Sequence, residues 1–208
     1  MDMKRVAYLL GFLFLSVSAG AQINLYVGGN LQGNYSWIRA DEHTFKPGFG
    51  GGLSFVYWEY EYWFIKAGLD YHNTSSSCLH YPEEYGAPIN SPDDRIIISY
   101  NEHTAGVPLT VYFRPIESGG NTLLITGTLE TMFIASLKMD SEEFGELKLG
   151  SSDIRSWTKT NVGLGVGYQR QLDQHMFLNI VPSFHLDIRA DRPFNMFRLT
   201  AEIIFGVY

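Results

Sequence analysis

The sequence holds one cysteine, Cys78, in 208 residues. A lone thiol forms no internal disulfide, so no disulfide framework holds this fold, and no Cys-x-x-Cys metal or redox pair exists. Positive charge is also scarce: 15 Lys and Arg stand against 22 Asp and Glu, a formal net charge of -7. That balance argues against nucleic acid as a partner and against a polybasic mode of membrane-surface binding. Long apolar runs are missing beyond the N-terminus, so no later segment approaches the ~20 residues of a spanning helix. The glycines do not form a phosphate-cradling loop at the start of a helix; they alternate along extended segments.

The one apolar run that exists gives an address. Lys4 and Arg5 precede Val6 to Val17, and Ala19-Gly20-Ala21 offers a small-residue cleavage site. This reads as a secretory signal peptide over residues 1–21, with Gln22 opening a single mature domain over 22–208. Removing Asp2, Lys4 and Arg5 takes away a net +1 and leaves -8 on the mature chain.

The mature sequence alternates with period two. At the C-terminal end Met176, Leu178, Ile180, Pro182, Phe184, Leu186 and Ile188 share one face, and Asn179, Ser183, His185, Asp187 and Arg189 the other. After Ala190 to Pro193, Phe197, Leu199, Ala201, Ile203, Phe205 and Val207 oppose Arg198, Thr200 and Glu202. Alternation of this kind marks strands with two chemically different faces. Similar segments start at Ile23, Pro47, Trp63, Thr104, Leu123 and Asn161, which makes about eight strands. Connections after strands one, three, five and seven are long or charged, and those after two, four and six are brief. The pattern predicts an all-β, eight-stranded antiparallel up-and-down transmembrane barrel, apolar side to lipid and short turns on the periplasmic side.

Several details sharpen this expectation. Tyr57, Trp58, Tyr60, Tyr62, Trp63 and Tyr208 gather at one end, and Tyr35, Trp37, Tyr71 and Trp157 at the other, as interfacial girdles would. Pro108 and Pro182 fall in mid-strand, where each predicts a bulge. Thr74 to Asn101 reads as the longest irregular stretch and as a partner or ligand surface over Cys78 to Asp94, or else Arg95 to Tyr100 extends the fourth strand.

The run His103-Thr104-Ala105-Gly106-Val107-Pro108-Leu109-Thr110-Val111-Tyr112-Phe113 resembles the apolar-Pro-apolar strand of the PorT-like outer-membrane β-barrel family. The Gly-alternating strand Val162 to Tyr168 and the end Ile203 to Tyr208 are similar to it too. The resemblance implies an outer-membrane barrel in contact with lipid, and protein partners in a secretion or envelope complex. It carries over no catalytic residues, cofactor or metal.

The inward faces place Lys66, Asp70, His72, Arg114, Glu130, Lys159, His185, Asp187, Arg189, Arg198 and Glu202 in the lumen. An eight-stranded bore is filled by side chains, so these residues are expected to form an ion-pair and hydrogen-bond plug. Asp187 is expected level with Arg198, and Ser183 with Glu202. Ser183, His185 and Glu202 are the residue types of a hydrolytic triad, but their order does not match that of the barrel lipid A deacylases and they face away from lipid. The acidic loops lack the ligand spacing of a zinc or calcium site. The expected function is therefore non-enzymatic, with interaction loops. Alternatives are a small-solute channel and a soluble lipocalin-like barrel with its apolar face inward.

Overall fold

A computed structural model describes residues 25–38, 43–58, 61–80, 96–141, 145–147, 158–188 and 194–207. Among these residues there are nine strands and no helix. They are β1 (Leu25–Ile38), β2 (His43–Tyr57), β3 (Trp63–His80), β4 (Ile96–Ser118), β5 (Asn121–Ser141), β6 (Gly145–Leu147), β7 (Thr158–Asp173), β8 (Met176–Asp187) and β9 (Phe194–Val207). Each long strand pairs antiparallel with its chain neighbours, β5 with β7 across the short β6. The β1–β9 ladder then closes the sheet, with Leu25 opposite Val207 and Ile38 opposite Phe194. The result is a closed eight-stranded antiparallel barrel, with β6 as an extra strand on β5.

Period two decides which side each residue occupies. Leu31, Leu53, Leu69, Leu109, Leu164 and Leu199 are exposed on the outside, Leu31 at 75%. Their sequence neighbours Gln32, Ser54, Asp70, Thr110 and Arg198 are buried inside. A water-soluble barrel would reverse this, so the apolar exterior suits lipid and the lipocalin-like alternative is set aside. On β4 exposed apolar residues alternate without a break from Ala105 to Phe113, a span of nine residues, which matches the ~9–11 that a tilted strand needs to cross a bilayer. Beyond this belt β3, β4 and β5 continue, pairing as far as His80 with Ile96 and Ile98 with Ser141. Residues 74–80 and 96–101 are thus strand rather than loop. The stretch expected to be irregular is cut from both sides, because Ser76 and Ile98 continue the inward parity and are fully buried.

The prolines keep register. Ala67 pairs Leu109 and Asp70 pairs Gly106, so the β3–β4 ladder resumes unshifted on both sides of Pro108. At Pro182 the β7–β8 ladder likewise stops at Gly165–Ser183 and resumes at Tyr168–Ile180 without a shift. A missing N–H removes one ladder bond, and the paired residues on either side hold the strands in place. Neither expected bulge forms there. Shifts occur instead between Phe45 and Phe49, His103 and Thr104, Phe113 and Ile116, and Gln171 and Asp173.

Candidate functional site: the filled lumen

From the short-turn end upward, the lumen opens on an apolar layer. Val56, Phe64, Tyr112, Leu124, Phe177, Val181 and Ile204 form a buried cluster, with Tyr26 and Trp58 packed against it. Trp58 follows β2 and turns inward, its ring 4.9 Å from both Phe64 and Phe177. Arg114 caps it, its guanidinium 4.4 Å from the Trp58 centroid, and donates to the Glu61 carbonyl and the Glu117 carboxylate. The expected girdle therefore loses Trp58 to the interior, where desolvation favours burying so large a ring. Tyr62 stays exposed at that rim, and Tyr35 and Tyr71 at the other. Tyr60, Trp157 and Tyr208 lie outside the described residues.

Above this layer two buried carboxylates organise the polar contacts. Glu202 accepts from Ser54 at 2.9 Å, Lys66 at 3.1 Å, Asn179 at 3.1 Å and Tyr112 at 3.3 Å. Glu130 meets Arg198 through Oε2 and His72 through Oε1, each at 2.8 Å. Asp70 accepts from Asn30 at 3.0 Å and Gln32 at 2.8 Å. Towards the loop end Lys159 pairs with Glu102 at 2.5 Å, and Asp187 is buried level with Asn161. Glu202, Glu130 and Asp70 each gain more than one donor, the condition for burying a charge at tolerable free energy.

Inward glycines make room for these groups. A Cβ on Gly106 would lie 2.5 Å from Glu130 Oε1, and one on Gly163 2.5 Å from the His185 ring. On Gly52 it would collide with Asp70 Oδ1. Alternate glycines are thus sockets that let charged side chains lie against the barrel wall. A cavity of about 30 Å³ remains, lined in part by Lys66, Asp70, Thr110, Ser183, His185 and Arg198, enough for about one water.

Of the residues expected in the lumen, Lys66, Asp70, His72, Arg114, Glu130, His185, Asp187, Arg198 and Glu202 are buried there. Lys159 is partly buried, and Arg189 lies outside the described residues. The expected levels are corrected: Arg198 faces Ser183 and Glu202 faces Asn179. The chain leaves β8 at Asp187 and enters β9 at Phe194, which centres the connection two positions earlier than the sequence reading placed it. Ser183 Oγ does reach His185 Nε2, at 2.9 Å, but His185 Nδ1 is buried without a partner. Glu202 is engaged with Lys66, Ser54, Asn179 and Tyr112, so the triad's acid is not joined to its histidine. Glu102 escaped the sequence reading because it was placed beside an irregular stretch. Its parity with Ile98 and Thr104 was the signal.

The closed geometry defines a class: small membrane-type β-barrels with a filled bore. No protein-family profile matches the chain, and no curated protein matches it by sequence. Solved structures share the fold. Neisserial surface protein A is 13% identical with a TM-score of 0.54, covering 88% of this chain and 97% of its own. Ail of Yersinia pestis, solved with the heparin analogue sucrose octasulfate, is 15% identical over 88% of this chain and 99% of its own, at a TM-score of 0.47. OprG of Pseudomonas aeruginosa is 10% identical over 91% and 98%, at 0.43. The first of these establishes the likeness of fold to an outer-membrane barrel.

Proposed function

We propose that the chain is a non-enzymatic outer-membrane barrel that presents a recognition surface on its loop side. The observation that carries this reading is the contrast between a packed lumen and an overlong β3–β4–β5 sector. The bore holds an aromatic layer below and a hydrogen-bonded belt above, with a cavity of about 30 Å³ beside Lys66 and Arg198. Meanwhile β4 and β5 run to 23 and 21 residues, roughly twice what a bilayer crossing requires. Strand that projects past the lipid contributes nothing to spanning, and rigid projections are where recognition residues collect. Signal peptide, outer-membrane residence and a protein partner of a secretion or envelope assembly complete the reading.

The test replaces residues 81–95 with a short Gly-Ser linker, since Cys78 to His80 belong to β3. The barrel should still insert and keep its heat-modifiable gel mobility, while partners that co-purify with the wild type from detergent-solubilised membranes are lost. Retention of every partner by the folded variant would overturn the loop-side assignment.

A further inference from the structure

Across the central belt the buried charges do not balance. Asp70, Glu130 and Glu202 supply three carboxylates, and Lys66 and Arg198 supply two cations. Counted without its histidines, the belt is one positive charge short, and an uncompensated buried charge is strongly unfavourable. His72 lies at the centre of the shortfall. Asp70, His72 and Glu130 are all buried, and one ligand atom from each lies within 4.8 Å of the others.

The two ring nitrogens of His72 differ. Nε2 sits 2.8 Å from Glu130 Oε1, and Glu130 is itself anchored by Arg198. In the neutral ring a carboxylate in that position accepts the Nε2 proton and leaves Nδ1 as a lone-pair acceptor. Nδ1 is buried and has no partner. The carbonyl of Gln32 is in the same condition: its Nε2 donates to Asp70 and to Asn30, whereas Oε1 is buried and unpartnered. Both atoms border one spot over the Gly50 Cα, where a Cβ would stand 3.0 Å from His72 Nδ1 and 3.4 Å from Gln32 Oε1, with the Tyr71 carbonyl oxygen nearer still at 2.6 Å.

Two unpartnered acceptors beside an aspartate, in a belt lacking positive charge, describe the surroundings of a cation. We propose that Gln32, Asp70 and His72 bind one divalent transition-metal ion, through Gln32 Oε1, an Asp70 oxygen and His72 Nδ1. Imidazole nitrogen with carboxylate and amide oxygen suits zinc-like ions better than calcium or magnesium. Glu130 acts from behind, holding the imidazole in the binding tautomer as carboxylates do behind metal-bound histidines. The glycine at position 50 keeps the space open. The bound ion ties β1 to β3 through the lumen.

The probe is Zn²⁺ itself. Full-length mature protein is refolded in detergent with and without Zn²⁺, desalted, and its metal content measured together with the zinc-edge X-ray absorption spectrum. The expected result is one equivalent retained, in a nitrogen/oxygen shell with a single imidazole and no sulfur. His72→Gln and Asp70→Asn should each lower retention at least tenfold, whereas His103→Gln, on the outer rim, should not change it. Gel mobility checks that each variant is folded. If the variants do not fold, the wild-type spectrum still decides: no retained zinc, or a shell with two or more imidazoles or with sulfur, overturns the proposal. So does folded His72→Gln that holds as much zinc as the wild type, which would assign the gap over Gly50 to water.

Discussion

At the residue scale, the lumen is organised by buried carboxylates, of which Glu130 and Glu202 are each held by donors from several strands. Arg198 is the clearest dependence, because Glu130 loses its one full cation if Arg198 goes. Arg198→Met should destabilise the barrel by about 3–5 kcal/mol, the usual penalty for stranding one member of a buried pair. The double variant Arg198→Met with Glu130→Gln should recover a substantial part, since neither charge is then left buried alone. Urea unfolding in lipid vesicles, followed by tryptophan fluorescence, measures both. A single variant within about 1 kcal/mol of wild type would mean that His72 alone suffices for Glu130. The sockets give a second expectation. Gly106→Ala puts a methyl 2.5 Å from Glu130 Oε1 and 3.1 Å from His72 Nε2, so it should cost about 1–3 kcal/mol by overpacking. Gly127→Ala, whose Cβ would meet nothing within 4 Å, should not.

Residue-level reading from sequence succeeded where parity alone decides, and failed where a contact depends on register or on a rotamer. Lys66, Asp70, Glu130 and Glu202 are placed inside by counting in twos. Their partners were not legible, because a register error of four residues moves Glu202 from Asn179 to Ser183. Uncharged donors such as Asn30, Gln32, Asn179 and Tyr112 complete the network, yet a reading that weighs charges passes over them.

At the element scale, strands prove longer and straighter in register than composition suggests. Ser75, Ser76 and Ser77 look like a loop, but Ser76 and Ser77 are buried within β3. A polar face is no argument against a strand when that face points into a polar lumen. Prolines mislead in the opposite direction, suggesting bulges where the ladder only skips. Pro182→Ala would add one donor facing β7 while loosening the unfolded chain, two small effects of opposite sign. Stability should therefore change by no more than about 1 kcal/mol, and hydrogen exchange should show a newly protected amide at position 182. A collapse of the β7–β8 pairing on this change would show that the proline shapes the strand. The lipid face gives the larger effect. Leu199 is exposed at mid-strand on β9, opposite Pro182 on β8. Leu199→Arg should cost about 2–4 kcal/mol in a bilayer and slow insertion. Normal folding of that variant without detergent or lipid would remove the membrane assignment.

At the scale of the whole molecule, closure and filling determine what the barrel can transmit. A bore of eight strands is wide enough only for side chains, and here they occupy it in two unlike layers. The lower layer is aromatic, sealed by Trp58 with Arg114 stacked on it; the upper is the belt around Glu130 and Glu202. Either layer blocks a solute by itself. Purified protein in planar bilayers should therefore show no discrete current steps, and Trp58→Ala should show none either, because the belt stays in place when the seal is cut. Removing the belt instead, with Glu130→Ala and Arg198→Ala together, should also leave the bilayer silent while Trp58 remains. Steps from the wild type would reinstate the channel reading outright. Steps from Trp58→Ala alone would show that the belt passes ions and that the aromatic layer is a gate, an outcome that a cavity of about 30 Å³ argues against.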